Sequence, residues 1–325
     1  MRLLNDADVG RLLDMKSCIK AVEDAFRARG EGKRASSAVA GLELYGGGLH
    51  AKLGMLDADR PYAAAKINAN FPQNPARHGL PTIQGMLVLF DASCGTPLAV
   101  MDSGVLTALR TAAASGVAAK YLALRNASAV AFLGCGKQAR AHVVALSLVR
   151  PIDRVAAFDL DLAAAQRFAD EVRYRFDIPS ETATTIRDAV RASDIVITST
   201  PSVRPLLNDG DVRKGTFIAA VGADNEHKQE IGVELLSTAA VVVDDLDQCS
   251  RIGDLHHALA AGVMQPDDVR ASLDQIVTGQ RPARLSDDEI LIFDSTGVAI
   301  EDVAAAVLVY EHAEKAGVGF IADRL

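Results

Sequence analysis

Residues 128–139 read Ser128-Ala129-Val130-Ala131-Phe132-Leu133-Gly134-Cys135-Gly136-Lys137-Gln138-Ala139, and this stretch decides the fold. Its first half is a continuous apolar strand, and Lys137–Val149 continues as a helix. Between them stands G-x-G-x-x-A, in which Gly134 permits a tight turn and Gly136 lets a pyrophosphate approach the backbone. Ala139 keeps helix and strand close. The helix start then offers free N–H groups and a favourable dipole to phosphates. Asp159 stands at the end of the next strand, 23 residues after Gly136, where an acid binds ribose hydroxyls. Asp161 follows and no Arg sits beside either acid, so a 2′-phosphate is repelled. NAD is therefore the expected cofactor, with NADP the alternative.

Outward from this turn the pattern alternates. Strand Arg154–Phe158 precedes helix Leu162–Phe176, and further strands are expected at 195–199, 217–221 and 239–243. Fully apolar strands alternating with helices predict a parallel sheet covered on both faces. The run Thr198-Ser199-Thr200-Pro201 ends the fourth strand at the carboxyl edge, where ligands bind in such sheets. Its hydroxyls either face the cofactor or cap a turn.

The first 115 residues read differently. Residues 5–29 predict a helix pair with Asp14 or Ser17 as the second cap. From Gly41 to Pro97, short runs such as 63–67 and 85–91 predict a meandering, mostly antiparallel sheet. Residues 105–123 form a helix rich in Ala, and 297–316 a closing helix expected to return to the N-terminal region. The expected fold is α/β, a doubly wound Rossmann sheet (116–296) plus a discontinuous α+β domain (1–115 with 297–325).

Composition narrows the function classes. Of 325 residues, 49% are hydrophobic and 23% charged, which fits a globular chain and not a disordered one. The net charge of -8 argues against a generic nucleic-acid binder. No stretch approaches 18 uncharged apolar residues, so no membrane span is expected. Acids near the start, where a secretory signal runs apolar, favour the cytoplasm. Cys18, Cys94, Cys135 and Cys249 lack CxxC or Cys/His spacing and read as small buried hydrophobes. Adjacent His256 and His257 would point about 100° apart on a helix, so no metal site is expected.

Many ordered segments resemble the ornithine cyclodeaminase/μ-crystallin family, which includes archaeal-type alanine dehydrogenases and ketimine and pyrroline-2-carboxylate reductases. They are Ala65-Lys66, Asn68–Pro72, Gly79–Thr82, Leu106-Thr107 with Arg110–Ala113, and the Gly134–Ala139 turn. Val221–Asp224 with Lys228 and Glu230 follow, then Val243–Asp245 with Gln248 and Gly253. Phe293–Gly297 with Ala299, Glu301 and Asp302 come last.

Beside the resemblance, the residues carry their own chemistry. Arg110 in an Ala-rich helix needs a partner, either a substrate carboxylate or an internal acid. Lys66 sits among residues that suggest burial, which would lower its pKa; the alternative is a surface lysine. Asp224 follows a strand end, where a carboxylate exchanges protons with an amine or imine or simply caps a turn. The resemblance makes Asp224 and Lys66 the catalytic candidates, and Arg110, Thr82 and Lys52 the substrate-binding ones. His50 lies beside Lys52, and a second carboxylate ligand is expected near 34–52. Cofactor-binding candidates are Thr111, Gly134, Gly136, Lys137, Gln138, Asp159, Thr200, Pro201, Val221, Gly222 and Ser295. Lys228 and Glu230 are expected to pair with each other, and Ser295 or Thr296 to cap the closing helix.

The implied activity is NAD(H)-linked oxidoreduction at the Cα–N bond of an amino acid or its cyclic imine, with a homodimer paired through N-terminal sheets. The alternatives are ornithine cyclodeamination to proline and ammonia on bound NAD, and a non-enzymatic dinucleotide-dependent binding protein.

Overall fold

The computed structural model describes residues 1–57 and 60–323. The chain divides into two compact units, Met1–Thr111 with Val298–Leu325, and Ala112–Gly297.

The second unit is built around eight parallel strands. Their order across the sheet is Ala271–Ser272, Ala240–Val243, Leu291–Asp294, Phe217–Ala220, Ile195–Thr198, Ala129–Leu133, Arg154–Phe158 and Ser180–Thr182. Strands 129–133, 195–198, 217–220 and 291–294 are buried throughout, as a sheet covered on both faces requires. From Ala129–Leu133 the chain winds outward to Ser180–Thr182, then returns to Ile195–Thr198 on the other side. The order of the doubly wound α/β fold therefore reverses between Leu133 and Thr198, and both strand ends meet there. Asp194 fixes this start of the sheet by accepting from the amides of Ser128 and Ala129 at 2.8 and 2.9 Å.

Strand Leu291–Asp294 was not expected from the sequence. It inserts between Phe217–Ala220 and Ala240–Val243, so the sequence motif at 293–297 lies at the carboxyl edge of the same sheet. A small parallel pair, Val203–Leu207 with Gln229–Ile231, was also unforeseen.

The first unit carries a seven-stranded sheet in the order Phe320–Ile321, Arg2–Leu4, Pro97–Asp102, Ile83–Asp91, Tyr62–Asn70, Gly47–Leu56 and Ala35–Leu44. Its strands run antiparallel except where Arg2–Leu4 joins Pro97–Asp102. Helix Met15–Gly30 is capped by Asp14, which accepts from Ser17 N at 2.9 Å, so Ser17 is the third residue of the helix and not its cap. The closing helix Ala299–Ala316 packs against Met15–Gly30 and against strands 47–56 and 62–70.

Alternation sets the faces of this sheet. Tyr62, Ala64 and Lys66 are buried on the helix side, with Ala64 in register with the buried Gly54. Leu42, Leu53, Ile67 and Met86 occupy the opposite face and are exposed. The neutral or acidic start of the closing helix suits its dipole, with Glu301 and Asp302 in its first turn. Neither Ser295 nor Thr296 caps it. The cap is Val298, whose amide donates to Glu301 Oε1 at 3.3 Å, while Thr296 donates to Asp244 at 3.0 Å.

Three cysteines are buried as expected, but Cys94 is exposed in the turn before strand 97–102, 3.2 Å from Thr96 Oγ1. Turn chemistry placed it there, since Asp91 through Gly95 must leave the sheet.

The closing helix approaches strand 47–56 so closely that a Cβ on Gly54 would lie 2.8 Å from both Ala299 Cβ and Ala299 O. Gly54→Val should therefore lower the unfolding free energy by roughly 1–3 kcal/mol, measured by urea titration.

Candidate functional site

The glycine turn is held by three neighbours. Gly134 has φ 94°, and a Cβ there would lie 2.8 Å from Ser199 O and 2.9 Å from Thr200 Cγ2. Only glycine allows the turns after Leu133 and Thr198 to approach this closely. Asp159 Oδ2 accepts from Cys135 N at 2.8 Å, and its Oδ1 accepts from Asp161 N at 2.9 Å. Arg140 donates to the carbonyls of Cys135 and Gly136 at 2.7 and 2.9 Å. Arg140 was overlooked in the sequence; its signal is a cation one helical turn after Gly136.

The opposite side of the turn is open. A Cβ on Gly136 would meet nothing within 4 Å, and no side chain caps the helix that begins at exposed Lys137. Gln138 carries a buried Oε1 without a hydrogen-bond partner. An anion placed there meets free helix amides and the dipole's positive end. The acids at the next strand end are less isolated from cations than their sequence neighbours imply. Asp161 caps helix Leu162–Phe176, and Arg167, one and a half turns later, reaches its Oδ2 at 3.4 Å.

Glu230 links the strand-end turns. Its Oε1 accepts from Thr200 N and Oγ1 at 2.6 and 2.7 Å, and its Oε2 from Thr198 Oγ1 and Gly222 N at 2.6 and 2.8 Å. The expected pair with Lys228 does not form. Glu230 is buried inside, whereas Lys228 turns outward and donates to Asp224 Oδ1 at 2.6 Å. The threonine hydroxyls are thus spent on Glu230. Gly222 leaves room for this arrangement, since a Cβ there would lie 2.4 Å from Glu230 Cδ. Burial raises the Glu230 carboxyl, though its four donors oppose the rise. Pro201 is exposed, Val221 donates its amide to Thr198 O at 3.0 Å, and Asp224 is exposed at the end of the turn.

Glu230 is itself held from behind. Asp254 Oδ1 accepts from the amides of Glu230 and Ile231 at 2.7 and 2.9 Å. Asp294 in turn accepts from the amides of Asp254 and Leu255 at 3.3 and 2.9 Å. Burial, with Asp294 and Glu230 nearby, drives Asp254 well above the ordinary carboxylate range, and burial pushes Asp294 up to about 7. Asp244 accepts from Gly297 N at 2.6 Å and Ser295 Oγ at 3.4 Å, which places buried Ser295 at the same sheet edge. His256 and His257 do not act as a pair. Their rings lie edge to face, and His257 Nε2 sits 2.8 Å from Lys228 O. No group of three metal-ligating residues occurs among the described residues.

The first unit gathers a second cluster. Lys66 is 3% exposed and donates to Asp302 Oδ1 at 2.7 Å. Arg110 Nη1 donates to Glu301 Oε2 at 2.8 Å, and its Nε lies 2.8 Å from the same Asp302 oxygen without hydrogen-bond geometry. Arg110 thus has internal acids as partners. The sequence contained Glu301 and Asp302 among the family-like positions but assigned them no role. Their signal was the first turn of a closing helix whose next residues are all apolar. Burial and Arg110 drive Lys66 down to about 7. Lys52 stands directly opposite Lys66 across the strand pair, half-buried, while His50 pairs with Asn68 two residues away. Thr82 is half-buried with its carbonyl accepting from Phe71 N at 2.8 Å, and Thr111 is buried one residue after Arg110.

A glutamine at 230 cannot accept at both ends. Glu230→Gln should lower the unfolding free energy by about 2–4 kcal/mol, read by denaturant titration.

The profile of the ornithine cyclodeaminase/mu-crystallin family matches residues 1–317. The alanine dehydrogenase of Archaeoglobus fulgidus is 40% identical over 317 residues, covering 98% of this chain and 96% of that protein. A solved archaeal alanine dehydrogenase dimer with bound NAD superposes with a TM-score of 0.93 at 40% identity, covering 98% of each chain. The Thermococcus litoralis Δ1-pyrroline-2-carboxylate reductase, solved with NADH and L-proline, gives 0.95 at 33% identity, covering 99% of this chain and all of that one. This chain belongs to the ornithine cyclodeaminase/mu-crystallin family.

Proposed function

We propose that the chain is an NAD(H)-dependent oxidoreductase acting on the Cα–N bond of a small amino acid or its imine, as an alanine-type dehydrogenase or a pyrroline-2-carboxylate-type reductase. The observation that carries this reading is the coexistence of two features in one chain. One is an uncapped, open glycine turn; the other is a buried Lys66–Arg110 cation pair suited to a carboxylate. The similarity to relatives whose names specify these activities supports it.

The residues fit the dinucleotide. Gly134, Gly136, Lys137 and Gln138 would receive its phosphates, with the orphaned Gln138 oxygen gaining a partner. Asp159 would take the ribose hydroxyls, and Thr111, Thr200, Pro201, Val221, Gly222 and Ser295 would line the remainder. Bound there, NAD(H) would supply the hydride chemistry at the carbon of the C–N bond. Lys66 and Arg110 would hold the substrate carboxylate, Thr82 and Lys52 would complete its surroundings, and fixed orientation lowers the entropic part of the barrier. Asp224 would give or take the proton at nitrogen, with Lys228 holding the carboxylate in place.

The test is nicotinamide absorbance during incubation with NADH and either pyruvate plus ammonia, pyrroline-2-carboxylate or piperideine-2-carboxylate, with ornithine and NAD+ in parallel. Steady loss of NADH supports the reading. Ammonia release from ornithine without net absorbance change would replace it with a cyclodeaminase. Asp224→Asn should cut kcat by about a hundred- to ten-thousand-fold with NADH affinity unchanged; unaltered turnover removes Asp224 from the chemistry.

We also infer a homodimer paired through the exposed face of the first unit's sheet, where Leu42, Leu53, Ile67 and Met86 are 60, 53, 43 and 54% exposed. An apolar face of this kind marks an association surface. Leu53→Asp should shift the sedimentation coefficient from dimer to monomer.

A further inference from the structure

The first unit's charge cluster is not closed on itself. Asp302 uses one oxygen twice, against Lys66 Nζ at 2.7 Å and against Arg110 Nε at 2.8 Å. Its other oxygen is buried without a hydrogen-bond partner, and so is Arg110 Nε. A purely structural ion network would satisfy its buried members, because each orphan loses its interactions with water. Here Asp302 Oδ2 keeps no hydrogen-bond partner, and Arg110 Nε meets Asp302 Oδ1 as an ion pair without hydrogen-bond geometry.

We propose that Asp302 is a positioning residue for the substrate carboxylate clamp, fixing the Lys66 ammonium beside the Arg110 guanidinium and keeping that ammonium charged. This rests on the reading of Lys66 and Arg110 as carboxylate ligands.

The groups around Lys66 set its charge between them. On its own sheet, Lys52 stands directly opposite on strand 47–56, and the neighbour on strand 83–91 is the uncharged Leu87. Arg110 approaches from helix Gly104–Leu122, and Glu301 and Asp302 from the closing helix. Cys18 on helix Met15–Gly30 lies near Glu301 and Arg110, with its thiol pushed up to about 12 by burial. Burial, Arg110 and Lys52 all disfavour the ammonium; Asp302 is the group that favours it most. Asp302 itself stays below the usual carboxylate range: burial opposes this, but Arg110, Lys66 and Lys52 outweigh it. With its pKa brought down to about 7, the charge of Lys66 at neutral pH leans on that one carboxylate. A neutral lysine binds a carboxylate poorly.

The test is calorimetric binding of pyrrole-2-carboxylate, which has no reducible C=N bond, to the NADH-loaded protein from pH 5.5 to 9. Wild-type affinity should fall about tenfold per unit above pH 7, as the Lys66 proton is lost. Asp302→Asn should move that fall to lower pH by about 1–3 units, the usual effect of removing an opposite charge at this distance. Below the shifted point it should bind as tightly as wild type or more tightly, because one anion near the ligand is gone. Lys66→Arg should abolish the fall, and Asp302→Glu should return it toward the wild-type position. These two variants carry the test should Asp302→Asn not fold, as circular dichroism would reveal.

Equal weakening by Asp302→Asn at every pH would reduce Asp302 to a structural role and overturn the proposal. So would an unchanged pH profile, or a fall that persists in Lys66→Arg. If NADH-loaded wild type binds no carboxylate at any pH, the clamp reading itself fails. NADH fluorescence titration of the same samples separates that outcome from a damaged protein.

Discussion

Burying a carboxylate is costly unless donors answer it, and along the carboxyl edge of the parallel sheet the chain does this four times in succession. Asp244, Asp294, Asp254 and Glu230 each accept from backbone amides, and together they join strand ends, a helix start and the turns that follow Thr198 and Ala220. Glu230 is the forward member of this row. It replaces two separate loops with one rigid surface beside the glycine turn, and Gly134 then fits against Thr200 with no room for a side chain. The position of Asp224 descends from this row, because only Ala223 separates it from the Gly222 amide that Glu230 holds.

The first unit solves the opposite problem. Its buried groups include two cations, and the acids that answer them arrive from a distant part of the chain on the closing helix. Close approach is again what permits it, since Gly54 lets that helix lie against strand 47–56. Both units thus use small residues to bring charged groups within a hydrogen bond, and both leave a few polar atoms unsatisfied where a ligand is expected.

Most of the second unit was legible in sequence because its signals are local. A strand of apolar residues, two glycines and a small residue at fixed spacing specify the first turn, and helices Lys137–Val149 and Leu162–Phe176 fall where the periodicity put them. Strand Leu291–Asp294 was hidden since four residues ending in an acid read equally as a loop. The partners of Glu230 and Lys228 are hidden for a similar reason: two opposite charges close in sequence invite pairing, yet Glu230 is taken by donors on Thr198, Thr200 and Gly222, and Lys228, just before the strand, reaches Asp224 instead. Arg110 reads as a buried cation, and Lys66 as either a buried or a surface one. Their counter-ions could not be assigned, because charge complementarity carries no information about which distant acid arrives.

That distance has a consequence for how the protein is made. Asp302 follows Lys66 by 236 residues, and Glu301 follows Arg110 by 191. At a synthesis rate of about 5–20 residues per second, Lys66 emerges roughly ten to fifty seconds before its counter-ion exists. Through that interval Lys66 on the N-terminal sheet and, once made, Arg110 on helix Gly104–Leu122 lack the acids that answer them. The second unit, whose strands and acids are all contiguous in the chain, has no such wait. The order of translation thus favours a finished dinucleotide-fold unit first, with the buried cluster of Lys66, Arg110, Glu301 and Asp302 assembled only when the last helix has been delivered.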